Sequence, residues 1–156
     1  MPELPDVTVY VECLQARVVG QPLVRVRLAS PYSPIPKRRG LAAFDFPSGT
    51  VLFTEEGTKK RASLHVVGSA TTLRTHDRGG LEVLDATAET FREALLRENH
   101  TVKRALTDPR LFSGIGNAYS DEILHAARLS PLKLTRKLTE ADMQRLFEAT
   151  RATLEL

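Results

Sequence analysis

Ser113-Gly114-Ile115-Gly116-Asn117-Ala118-Tyr119-Ser120-Asp121-Glu122-Ile123-Leu124 is the stretch whose reading decides the fold. Two glycines separated by one residue make a tight turn and let the backbone come close to another group. Residues 118–127 then read as a helix, stopped ahead of Pro131. The start of a helix presents unpaired N–H groups, which suit an anion. Asn117 stands at the junction and has two readings. Its amide can donate to a phosphate oxygen, or it can simply cap the helix in a turn packed for stability. Spacing alone leaves both open.

Working outward, the flanking segments are helical. Residues 89–99 place Phe91, Leu95 and Leu96 on one face, and residues 101–106 make a shorter helix ending near Asp108-Pro109. That helix, the glycine turn and residues 118–127 form a helix–turn–helix-like unit. Downstream, Thr139 with Asp142 resembles a capping box. Met143, Leu146, Phe147, Thr150 and Leu154 share the face of a last helix. Upstream of about residue 86 the pattern changes. Val24, Val26 and Leu28 alternate with Arg25 and Arg27, as in a half-buried strand. Residues 44–46 and 50–54 flank Pro47-Ser48-Gly49 as a β-hairpin, and residues 63–67 read as a further short strand. Residues 6–19 carry Val7, Val11, Leu14 and Val18 at helical spacing; Val7, Val9, Val11 and Cys13 also alternate, and the caps (Pro5 and Asp6 before, Gly20 and Pro22 after) decide for helix. The expected class is α+β: an N-terminal helix and an incomplete antiparallel β-sandwich over residues 1–86, then an all-helical domain over 87–156.

Composition narrows the partners. The chain has 156 residues, a hydrophobic fraction of 42%, a mean hydropathy of −0.20 and a formal net charge of +3. Residues 103–137 hold seven basic residues against three acids, while the remainder holds 15 basic against 16 acidic. A localised positive surface suits a polyanion. No apolar run is long enough to span a bilayer, and the acidic, proline-bearing start is no secretory signal, so a cytoplasmic, non-membrane protein is expected. One cysteine, Cys13, excludes an internal disulfide and reads as a small buried hydrophobe. With four scattered histidines it offers no zinc spacing.

The terminus is a second place where chemistry can reside. Removal of Met1 would leave a secondary amine on Pro2. Such α-amino groups lose their proton near about pH 8, much closer to neutrality than lysine. An unprotonated amine can attack a sugar C1′ and form an iminium, and Glu3 beside it can move protons during ring opening.

Met1-Pro2-Glu3-Leu4-Pro5-Asp6-Val7 resembles the opening of the formamidopyrimidine-DNA glycosylase and endonuclease VIII family. Residues 108–131, centred on Gly114 to Leu124, resemble that family's helix–two-turns–helix DNA-binding motif. The resemblance implies a monomeric bifunctional enzyme of DNA base-excision repair that acts on damaged double-stranded DNA. It would flip the base, cleave the glycosidic bond and eliminate at the abasic site. It further implies Pro2 as nucleophile and Glu3 as general acid/base. Gly116, Asn117 and Lys103 would bind DNA in the helical motif, and Lys60 and Arg61 in a basic loop near the flipped nucleotide. Asp6 stands where the family usually has glutamate. Three family parts find no counterpart here: a second catalytic lysine on an early strand, the loop that wedges into the duplex, and a C-terminal zinc finger. The resemblance thus implies an internally deleted chain without a metal or other cofactor, and keeps in view a catalytically silent DNA-binding module.

Overall fold

The computed structural model describes residues 3–30, 35, 40–59 and 61–155. They form two compact units. One holds the start of the chain through Val9 together with Val67–Leu156, and the other holds Tyr10–Val66.

The first unit carries the core. Helix α3 (Ala88–Leu96) buries Phe91, Ala94 and Leu95, the i, i+3, i+4 spacing of one face. Its start is fixed by a reciprocal cap. The Thr87 hydroxyl accepts the Thr90 N–H and Thr90 Oγ1 accepts the Thr87 N–H, an arrangement worth about 1 kcal/mol. Helix α4 (Val102–Leu106) buries Val102, Ala105 and Leu106. Helix α5 (Asn117–Ala126) buries Ser120, Ile123 and Leu124, and helix α6 (Glu140–Leu154) buries Met143, Leu146, Thr150 and Leu154. Phe91 is the hub: its ring lies 4.8 Å from Phe112 and 5.4 Å from Phe147, tilted to both. Among the described residues no helix is long and apolar enough to cross a membrane.

The second unit is a three-stranded antiparallel sheet in the order β1 (Arg25–Leu28), β2 (Gly40–Phe46), β3 (Gly49–Thr54). The expected hairpin forms with Pro47 and Ser48 in the turn and Phe46 opposite Gly49, whose φ of 151° disfavours any side chain. Arg25, Arg27 and Asp45 share one face. Arg27 grips Asp45 with two bonds of 2.9 and 2.8 Å, and Thr50 Oγ1 donates to it at 2.7 Å. The guanidinium first, then the hydroxyl, lowers the Asp45 pKa to about 2.

Three sequence expectations fail. Residues 63–67 form no strand; Leu64 and Val66 are exposed and no neighbour among the described residues supplies a ladder. Helix α1 (Leu4–Val18) forms as its caps foretold, yet its apolar positions Val7, Val11 and Leu14 are more than 40% exposed. Cys13, on the same helix, is exposed rather than buried. The α-period was present, but the described residues cover that face only in part. The short helix α2 (Ala70–Leu73) and the 3-10 turns Arg74–His76 and Val83–Asp85 had no periodicity to announce them.

Two further details position the helical unit. A Cβ on Gly80 would lie 2.5 Å from the Pro109 carbonyl oxygen, so only glycine lets this segment dock. Leu81 N–H then donates to Leu111 O and Ser113 N–H to Leu81 O, a parallel bridge that ties residue 81 to the run into the glycine turn. At the far end of α5 the chain turns through a Schellman closure. Leu129 N–H reaches Leu124 O and Arg128 N–H reaches His125 O. Position 128 has φ 54°, left-handed, and is filled by arginine, at a cost of about 1 kcal/mol relative to glycine.

Asp142 joins the last two elements. Its carboxylate accepts from Lys133 Nζ and Arg145 Nη2 at 2.6 Å each and from the Thr139 N–H at 3.0 Å, and it is nearly buried. The Lys133 ammonium, then the Thr139 N–H, hold its pKa well below the usual carboxylate range. A carboxylate depressed on folding stabilises the native state above its unfolded pKa, about 3.9, and loses that contribution on acidification. Asp142→Asn should therefore melt several degrees lower than the parent at pH 7, with the difference shrinking steadily as the pH falls below about 4. Thermal melts followed by circular dichroism across that range test this.

Candidate nucleic-acid interface and the anchored chain start

The glycine turn is explained by what it touches. Glu3, only 7% exposed, sends its carboxylate into the first turn of α5. Oε2 accepts the N–H groups of Gly116 at 2.9 Å and Tyr119 at 2.8 Å, and Oε1 accepts that of Ala118 at 2.9 Å. These are donors that a helix start cannot satisfy from its own backbone, and the positive end of the helix dipole favours the anion. Charge-assisted bonds of this kind are worth about 1.5–3 kcal/mol each when buried. The main chain adds a fourth link, Leu4 N–H to Gly114 O at 2.7 Å. Asp6 Oδ2 accepts the Glu3 N–H at 3.2 Å, which closes the start of α1.

Both glycines are required by this approach. A Cβ on Gly116 would sit 2.6 Å from the Glu3 carboxyl carbon and Oε1. A Cβ on Gly114, where φ is +74°, would sit 2.7 Å from Leu4 Cβ. The sequence showed a backbone ready for close approach, and the group that approaches is the chain's own third residue. The contact spans 113 positions, so no local pattern could reveal it. It also changes two readings. Gly116 spends its N–H on Glu3. Glu3 has both carboxylate oxygens occupied by backbone donors.

The remaining candidates fall as follows. Asn117 is the first residue of α5 and is exposed; Gly116, not Asn117, takes the cap position, so the simple capping reading does not hold. Lys103, on α4, donates from Nζ to Asp121 Oδ1 at 2.6 Å and keeps its side chain 30% exposed. Thus α4 and α5 present Asn117 and the Lys103–Asp121 pair on one surface. Arg61 belongs to the sheet unit, with its N–H bonded to Glu55 Oε1 at 2.7 Å and its side chain exposed. Pro2 and Lys60 lie outside the described residues. Among the described residues no group of three or more His, Cys, Asp or Glu side chains could hold a metal ion.

The anchor is directly testable. Gly116→Ala forces a methyl group into the Glu3 carboxyl and should destabilise the helical unit by about 1–3 kcal/mol, as overpacking does. Glu3→Ala, which removes the acceptor and leaves three donors, should cost at least as much. Chemical denaturation of each variant and of the pair measures the coupling; additive losses would contradict the contact.

Comparison with known proteins agrees with this architecture. Residues 81–156 match the family described as the formamidopyrimidine-DNA glycosylase H2TH domain. A formamidopyrimidine-DNA glycosylase-like protein of Mycobacterium tuberculosis is 39% identical over 75 residues, 48% of this chain and 48% of that protein. The formamidopyrimidine-DNA glycosylase of Carboxydothermus hydrogenoformans is 28% identical over 166 aligned positions, 95% of this chain and 63% of its own length. The matched stretch therefore covers less than two thirds of these relatives. The crystal structure of MutM (Fpg) from Thermus thermophilus superimposes with a TM-score of 0.78 at 25% identity, covering 99% of this chain and 75% of that one. Lactococcus lactis Fpg, solved with DNA containing N7-benzyl-Fapy-dG, gives 0.79 at 18% identity, over 99% and 78%; this likeness speaks for the fold alone. Residues 81–156 of the helical unit thus carry the H2TH domain of formamidopyrimidine-DNA glycosylases, and the chain shares the fold of these proteins.

Proposed function

We propose that the protein binds damaged double-stranded DNA in base-excision repair and acts on it as a glycosylase and abasic-site lyase through the amine of Pro2. The observation that carries this reading is the anchoring of Glu3 by the Gly116, Ala118 and Tyr119 N–H groups. It fixes the residue next to Pro2 at the end of α5 where Asn117 stands exposed. A phosphate held there by Asn117, with Lys103 nearby, would bring a deoxyribose to the chain start.

In this reading the Pro2 nitrogen attacks C1′, the C1′–N bond electrons leave with the base, and ring opening gives an iminium. The iminium acidifies C2′, so loss of that proton expels the 3′ phosphate by β-elimination. Because Glu3 already accepts three N–H bonds, its part is to hold Pro2 in place. That occupancy also favours a second reading, a DNA-binding module in which the proton-transfer role expected of Glu3 is not filled.

Borohydride trapping on an abasic-site duplex separates the two. The enzyme should give a covalent adduct whose yield rises with pH towards about 8, as an α-amino group loses its proton, and Pro2→Gly should abolish it. Absence of adduct at any protein excess would remove the lyase claim. Under the binding reading, duplex affinity persists without trapping and falls on Asn117→Ala combined with Lys103→Ala.

A further inference from the structure

We infer that Arg128 is a further phosphate-binding residue, extending the DNA-binding surface along α5 from Asn117; this rests on the DNA-binding reading above. Three observations converge on it. First, Arg128 occupies a left-handed position, φ 54°, in a Schellman closure whose backbone bonds need no side chain. Glycine would fill it without strain, so arginine there asks for a reason.

Second, the usual structural reason is already met. A cation at a helix end serves the terminal carbonyls and the negative pole of the dipole. Here Arg145 does so: its Nε donates to Ala127 O at 3.4 Å, while its Nη2 is held by Asp142 at 2.6 Å. Arg128 is exposed, and among the described residues its guanidinium has no ion-pair or hydrogen-bond partner.

Third, its position is aligned. Asn117, Asp121 and His125 recur at helical spacing along one side of α5, and Arg128 follows two residues past its end; all four are exposed. The one acid in that row, Asp121, is offset by Lys103. From residue 117 to residue 126 the helix rises about 14 Å, the axial length of about four nucleotides at about 3.4 Å each on one strand, and Arg128 lies just beyond that end. The helix thus begins with the exposed amide of Asn117, carries a neutral pair in the middle and is followed at its far end by a guanidinium unpaired among the described residues, a layout that suits a phosphodiester backbone.

Fluorescence anisotropy with a labelled duplex carrying a tetrahydrofuran abasic analogue, measured at several salt concentrations, tests this alongside thermal melting. Arg128→Gly should melt at or above the parent temperature, bind about fivefold more weakly at about 0.1 M salt, and show a log–log salt slope shallower by about 0.9, one phosphate contact. Arg128→Lys should stay within about twofold of the parent. Unchanged affinity and slope in Arg128→Gly would overturn the inference, as would a joint loss of melting temperature and affinity in both variants, which marks a structural role. A parent protein that binds no duplex would instead overturn the DNA-binding reading, and Arg128's role with it.

Discussion

A carboxylate seated in the first turn of a helix organises this protein. Three backbone N–H groups at the start of α5 are left over by helix geometry, and Glu3 consumes all three from the opposite end of the sequence. The bond set is intolerant of change on either side. Removing the acid orphans buried donors, and adding a methyl group to the turn expels the acid. Position 3 and positions 114–119 therefore have to be treated as one structural object.

This arrangement also divides labour along α5. Three N–H groups at its start are committed inward to Glu3, so an external anion would be met chiefly by side chains. That shifts the interest from the N–H groups to Asn117, Lys103 and the row behind them. The surrounding scaffold serves the same end. Gly80 lets residue 81 dock against residues 111–113, and the Asp142 hub fixes the segment that follows α5, so the turn enters and leaves between braced neighbours.

The helical unit was legible because its signals were local and redundant. Thr139 and Asp142 announced the cap of α6, and Phe91, Leu95, Leu146 and Leu154 announced faces that the core does bury. The start of the chain and the glycine turn were each visible as candidates, but not their contact, because nothing at position 3 encodes its distance to position 116. The β-rich portion was less legible. Alternation placed β1 and the hairpin, yet residues 63–67 found no partner strand among the described residues, and the Val7–Val11–Leu14 face of α1 is only partly covered by them. Periodicity reports what a segment can offer; a covering neighbour decides burial.

The uneven placement of the core has a dynamic corollary. Nearly every large, fully buried side chain sits in the helical unit, whereas the sheet unit buries Ala42, Ala43 and Ile35 and leaves Val26 and Leu28 largely open. Opening free energies follow buried apolar contact. Amide protons of β1–β3 would then exchange with deuterium through low-energy local openings, while those of α3, α5 and α6 would wait for global unfolding. The heat-capacity increment of melting would belong mainly to the helices. The Glu3 anchor is fastened to the slow-exchanging unit, so the chain start can stay in register while the sheet breathes.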